Sequence, residues 1–130
     1  RDPPRPDHRH PTLEGAASVF TIRTGDTSPP IRATLADLDG PVSLAGATIR
    51  AVCRKRGAAA LLFDKPPVVI DEAQGVLEVQ WAEDGSETAA PGIYELEFEV
   101  TRAGDVQTFP TQGPVIVRID PDLDYGIAAA

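Results

Sequence analysis

Residues 92–101 read GIYELEFEVT, and the fold class turns on them. Tyr94, Leu96, Phe98 and Val100 recur at every second position, and Glu95, Glu97 and Glu99 fill the positions between. A side-chain period of two belongs to a β-strand, whose successive side chains point to opposite faces. The stretch therefore reads as a strand with one dry face and one wet face, and the dry face needs a second apolar layer to cover it.

The flanking sequence supplies that layer in the same pattern. Residues 75–81, GVLEVQW, set Leu77, Val79 and Trp81 against Glu78 and Gln80. Thr48–Arg54 sets Ile49, Ala51 and Cys53 against Arg50, Val52 and Arg54, and Val115, Val117 and Ile119 form a last apolar row opposite Ile116 and Arg118. Val19–Arg23 and Ile31–Leu38 read as strands with a looser pattern. Ala58–Asp64 is too short for periodicity to separate a strand from a helical turn, and a strand is preferred. Turns fall at Gly25-Asp26, Asp39-Gly40, Gln74-Gly75, Asp84-Gly85 and Gly104-Asp105, where glycine permits the positive φ of a tight reversal. Short strands at such spacing indicate a sandwich or barrel of seven or eight mostly antiparallel strands. Trp81, Tyr94, Leu96, Phe98 and Val100 are its expected core.

Composition limits the alternatives. A chain of 130 residues is one ordinary domain, and eleven glycines with thirteen prolines exclude long helical bundles and coiled coils. Apolar runs such as Ala58–Phe63 are far shorter than the roughly 18 residues of a membrane-spanning helix, and the N-terminus shows no apolar leader, so the chain reads as soluble and not exported. Twelve basic against twenty acidic residues give a net charge of −8. A surface of that sign repels phosphate backbones and anionic lipid, so nucleic acid and membrane are poor partners. The single cysteine permits no internal disulfide. Residues 1–18 hold four prolines, six charges and only Leu13 as a large apolar side chain, so they read as an extended Pro-rich arm. The expected organisation is an arm (1–18), a β-domain (19–120) and a tail (121–130).

The candidate chemistry is thin. His8 and His10 stand beside Asp7, but no fourth zinc ligand is evident and an extended arm must be ordered to bind; a solvated or docking arm is the simpler reading. They are the only two histidines, so a Ser–His or Cys–His pair within the domain lacks its base, and no G-x-S-x-G elbow occurs. Asp120, Asp122 and Asp124 resemble the start of a calcium loop, but Tyr125 takes the sixth position where that loop needs glycine. Cys53 shares a face with Ile49 and Ala51 and reads as core. Glu95, Glu97 and Glu99 read as a solvated sheet face rather than as catalytic carboxylates. Arg54-Lys55-Arg56 is either a solvated hairpin end or a patch that complements an acidic partner. Gly92-Ile93-Tyr94 resembles a tyrosine corner, a structural device in which the hydroxyl bonds back to a nearby backbone group. No enzymatic activity, metal or cofactor is expected.

In order along residues 20–120, these motifs resemble the N-terminal immunoglobulin-like domain of phage baseplate upper proteins and related small tail proteins. The matching pieces are Arg23-Thr24-Gly25-Asp26-Thr27 with Pro29-Pro30, the Ile31–Leu35 strand, and Leu38-Asp39-Gly40-Pro41-Val42-Ser43-Leu44-Ala45-Gly46-Ala47-Thr48-Ile49. Gly75–Trp81, Pro91–Thr101 and Gln107-Thr108-Phe109-Pro110 complete the series. Ser43 stands where the family often has aspartate, and no long helical linker to receptor-binding parts follows before Ala130. The resemblance implies an all-β, immunoglobulin-like antiparallel β-sandwich acting as a structural virion subunit. Its expected partners are other phage virion proteins, whether tail, baseplate or capsid subunits, in a symmetric multi-copy assembly, and its expected location is the virion. The family has no catalytic residues to carry over and no motif marking its attachment surfaces. The expected interface residues are therefore our own inference: Arg5, Arg9 and Leu13 in the arm, Arg54, Lys55 and Arg56 in the domain, and Tyr125 and Ile127 in the tail. A capsid decoration or head–tail connector protein is the alternative. A carbohydrate-binding module is a third reading, and it requires Trp81 to be exposed on a sheet face.

Overall fold

The computed structural model describes residues 19–110 and 114–123. The expectations for Arg5, Arg9, Leu13, Tyr125 and Ile127, and for His8, His10 and Asp124, lie outside the described residues.

The alternating stretch forms the longest strand, β9 (Gly92–Arg102), the spine of the larger sheet. Along one side it pairs antiparallel with β5 (Thr48–Lys55), from Thr48 opposite Thr101 to Lys55 opposite Tyr94. Two strands share its other side end to end. β10 (Asp105–Phe109) covers the half from Arg102 to Phe98, and β11 (Val115–Asp120) covers the half from Leu96 to Gly92. β6 (Leu61–Lys65) extends the sheet beyond β5, and β1 (Val19–Arg23) extends it beyond β11. The second layer is a three-stranded antiparallel sheet in which β8 (Val76–Val79) lies between β2 (Ile31–Thr34) and β7 (Val68–Asp71). A two-residue pair, β3 (Ala36–Asp37) with β4 (Gly40–Pro41), and a 3-10 turn at Ser86–Thr88 complete the described elements.

The two layers exclude water because their facing rows are apolar. Tyr94, Leu96, Phe98 and Val100 of β9 are at most 3% exposed, and Leu77 and Val79 of β8 are fully buried. Trp81, just past β8, fills the centre at 5% exposure. Its ring lies 6.2 Å from Phe20 and 6.1 Å edge-on from Phe63, and its indole N–H donates to the Pro29 carbonyl at 3.0 Å, so the buried donor is satisfied. The Tyr94 hydroxyl donates to the Ala90 carbonyl at 2.8 Å, four residues upstream, the bond a tyrosine corner makes.

The protein is an all-β sandwich, and it departs from the sequence reading in three places. Among the described residues there are eleven strands rather than seven or eight, the excess being the two-residue β3 and β4 and the unanticipated β7. All four β7 residues are exposed, so no alternation marks the strand in the sequence. Ile31–Leu38 is not continuous: β2 ends at Thr34, and Leu38 sits in the turn after β3 at 96% exposure. β1 and β11 run parallel, because β1 enters at the edge of the sheet rather than from a hairpin. The Ala58–Asp64 ambiguity resolves to a strand at Leu61–Lys65, and the five expected turn glycines all have positive φ.

Candidate partner-binding surfaces

The wet face of β9 is a ladder of ion pairs across the outer surface of the large sheet. Register places Arg50 beside Glu99 and Val52 beside Asp64. From that position the Arg50 guanidinium donates to Asp64 through Nε at 3.0 Å and Nη2 at 2.6 Å, and to Glu99 through Nη1 at 2.7 Å. These hydrogen bonds hold the Asp64 carboxyl below its ordinary range and raise Arg50 further. On the other side of β9, Arg118 of β11 forks onto Asp120 at 3.0 and 3.2 Å. Such exposed pairs add little stability, but they engage Arg50, Asp64, Glu99, Arg118 and Asp120 with one another.

The basic cluster meets one carboxylate from the same ladder. Arg54 and Lys55 end β5 and Arg56 opens the turn after it. Glu95 receives Arg56 Nε at 3.3 Å and lies 4.0 Å from Arg54 Nε. Separate in the sequence, Glu95 and the basic cluster meet in space, with Arg54 and Arg56 sharing the one acid. Beside it lies an open depression of about 400 Å³ lined by Val52, Arg54, Leu61, Glu95, Glu97 and Pro114. Glu97 falls at the gap between β10 and β11, which pair only as far as Phe98 and Leu96.

Around these groups the described residues place neither an exposed thiol nor a metal centre. Cys53 is fully buried, and burial, followed by the nearby Glu87 carboxylate, pushes its thiol up to about 12; a thiol held neutral is a poor nucleophile. Asp120 is engaged by Arg118, and the Asp122 N–H donates to Thr24 Oγ1 at 2.9 Å. Among the described residues, no three His, Cys, Asp or Glu side chains converge to hold an ion. Trp81 is buried beneath the second layer, so it offers no platform for a sugar.

One polar cluster had no sequence signal. Lys65, at the end of β6, donates to Glu87 Oε1 and Oε2 at 2.7 and 2.9 Å and also to the Gln80 carbonyl. Glu87 Oε1 in turn accepts the Ala82 N–H at 2.8 Å. This half-buried pair ties the loop after β8 to the edge of the large sheet across 22 residues of sequence, a separation at which no spacing rule operates. A second tie lies at the same end, where Thr88 Oγ1 donates to the Asp26 carbonyl at 2.8 Å and Gly25 N–H donates to the Thr88 carbonyl at 3.1 Å.

Two packed layers closed over one apolar core, with a tyrosine corner at the start of β9, define a β-sandwich. Among solved structures it is similar to the N-terminal domain of ORF48 from phage TP901-1. The TM-score is 0.56 at 15% identity, and the match covers 85% of this chain and 92% of that one. No protein-family model matches the sequence, and no curated protein matches it.

Proposed function

We propose that this chain is a non-enzymatic structural component of a phage virion, a tail or baseplate (minor tail) subunit that attaches to neighbouring subunits in a symmetric multi-copy assembly. The likeness of its fold to a phage protein domain along nearly the whole of both chains carries this reading. The ordered sequence motifs described above support it independently of the fold. The attachment surfaces are the Pro-rich arm with Arg5, Arg9 and Leu13, the Arg54-Lys55-Arg56 patch, and the tail with Tyr125 and Ile127. Guanidinium groups on an arm suit docking because each forks onto a carboxylate or backbone carbonyl of a neighbour, and prolines reduce the entropy lost when the arm is ordered.

Deleting residues 2–14 tests the reading with two measurements. The melting temperature of the shortened protein should stay within a few degrees of the full chain's, and its recovery in purified phage particles should fall to background. Normal incorporation of the deletion refutes the docking role of the arm, and a large fall in melting temperature shows that the arm belongs to the fold. Recovery on capsids rather than tails replaces the tail assignment with a decoration or connector role.

A further inference from the structure

The chain has two Asp-Gly pairs, Asp39-Gly40 and Asp84-Gly85, and no asparagine, so any isoaspartate in it arises from aspartate. In such a pair the glycine backbone nitrogen can attack the side-chain carboxyl carbon of the aspartate, because no Cβ on the glycine blocks the approach. The N–Cγ bond forms, the carboxyl C–OH bond breaks, and the hydroxyl leaves as water with the amide proton. Water then opens the five-membered succinimide. Cleaving its N–Cγ bond restores aspartate, whereas cleaving the bond from nitrogen to the former backbone carbonyl leaves isoaspartate, with the chain running through the side chain. The mass is unchanged, and no oxidant or cofactor is consumed. We propose that Asp39 is the site of this isomerisation in the folded protein, and that the turn around Asp84 prevents it there.

Asp39 meets the requirements of ring closure. It stands with Leu38 in the turn between β3 and β4, and both side chains face solvent. Among the described residues its carboxylate accepts no hydrogen bond and forms no ion pair; its own N–H donates to Asp37 Oδ1 at 2.8 Å, which engages the other acid of the hairpin instead. A Cβ built at Gly40 would meet nothing within 4 Å, so the ring has room. Gly40 pairs only with Asp37, in a two-residue ladder that joins no other strand, and Pro41 has no N–H to lengthen it. The next bond along, from the Val42 N–H to the Leu35 carbonyl at 2.9 Å, anchors the base of the hairpin. A tip this short opens locally at little cost, which frees the Gly40 nitrogen to reach the carboxyl carbon.

Asp84 has the same neighbour in sequence and opposite surroundings in space. Its Oδ1 accepts the Ser86 N–H at 2.9 Å, and hydrogen bonds from Ser86 hold the carboxyl below its ordinary range, in the ionised form that is the poorer electrophile. The Gly85 N–H donates to the Ala82 carbonyl at 3.1 Å, and the Gly85 carbonyl accepts the Thr88 N–H at 3.3 Å. A Cβ at Gly85 would lie 3.0 Å from the Gly25 carbonyl oxygen, so this turn is packed against another loop. The Lys65–Glu87 pair and the bond from Thr88 Oγ1 to the Asp26 carbonyl hold the segment that follows. Ring closure at Asp84 therefore requires several bonds to break together. At Asp39 the extra backbone carbon falls at an exposed tip, so the sandwich stays folded while Leu38 is displaced. This inference does not depend on the virion role proposed above.

Ageing the full chain for weeks in mildly acidic buffer, both folded and in urea, tests it. Peptides carrying residues 39 and 84 are separated by chromatography after proteolysis, and methyl transfer from S-adenosylmethionine by an isoaspartyl methyltransferase marks the product. In the folded protein isoaspartate should form at Asp39 at least about tenfold faster than at Asp84, because only the first turn opens without disturbing the sandwich. In urea, where neither turn persists, the two rates should agree within about threefold. Asp39→Glu, which needs a less favourable six-membered ring, should remove the product formed by the folded chain, with circular dichroism confirming that the variant folds. No isoaspartate at Asp39 in the folded protein, equal rates at the two sites when folded, a rate ratio unchanged in urea, or a product that survives Asp39→Glu overturns the proposal.

Discussion

The two sheets of the sandwich are built to different standards. β9 is paired along both sides and buries every second side chain, whereas β7 is paired along one side, interrupted at Ile70, and leaves all four residues exposed. Long-range pairings around β9 therefore fix the fold, and the small sheet acts as a lid whose outer edge is free to serve something else. Stability and surface are assigned to opposite margins of the same molecule.

The sharpest test of that division compares one buried and one exposed side chain. Phe98→Ala removes a fully buried ring at the centre of the large sheet and should cost about 3–5 kcal/mol through lost transfer energy and the cavity left behind, enough to unfold much of a marginal domain. Val69→Ala on β7 should cost about 1 kcal/mol or less, since its side chain is already 43% exposed. Urea denaturation of the monomer measures both. Equal losses would show that β7 is part of the stabilising core, and the comparison would fail.

A second contrast concerns turns. At Gly75, which leads into β8, φ is +71° and a Cβ would lie 2.6 Å from the Val42 carbonyl oxygen and 2.7 Å from that of Leu35. The backbone cannot retreat easily, because the Gly75 carbonyl accepts the Leu35 N–H at 2.9 Å. Gly75→Ala should therefore cost about 2 kcal/mol or more, combining the left-handed penalty with the clash. Gly104, between β9 and β10, has φ +89° and open space around it, so Gly104→Ala should cost only about 1–2 kcal/mol, the conformational penalty alone. Thermal unfolding of the pair checks the order. A reversal would mean that the β7–β8 turn adapts, and that the small sheet is looser than its hydrogen bonds indicate.

The same contrast explains what the sequence made legible. β9, β5, β8 and β11 have one dry face each, so their residues alternate and announce both the strand and the direction of its core. β7 has no dry face, and its consecutive Val68, Val69 and Ile70 carry no period. The parallel entry of β1 beside β11 depends on how strands nearly a hundred residues apart come together, which local pattern does not encode. Surface chemistry divides in the same way. The outward positions of Arg50, Glu95 and Glu99 follow from strand phase, but the sharing of Glu95 by Arg54 and Arg56 follows from the β5–β9 register. The Lys65–Glu87 tie involves an edge strand and a loop, so neither periodicity nor spacing points to it.

The smallest expected effect lies on the wet face of the large sheet, where Asp64 is held by Arg50. Its carboxyl is depressed below the ordinary 3.8, first by the Arg50 hydrogen bond and then by that guanidinium's charge. A carboxyl with a lower pKa in the folded state contributes stability that is complete above its unfolded value and is lost as pH falls through the folded value. The contribution therefore fades only in acid, below the ordinary carboxylate range, and the site's exposure keeps it small. Following the Asp64 carboxyl carbon by NMR should show a midpoint below 3.8 that moves back toward the ordinary value in Arg50→Met and, by screening, in high salt. Asp84 provides the internal control, because its depression comes from hydrogen bonds with Ser86 and owes nothing to Arg50. Its midpoint should stay low in Arg50→Met. An Asp64 midpoint indifferent to that substitution would show that the ladder is not formed in solution, and that the outer face of the large sheet leaves its charges available to a partner.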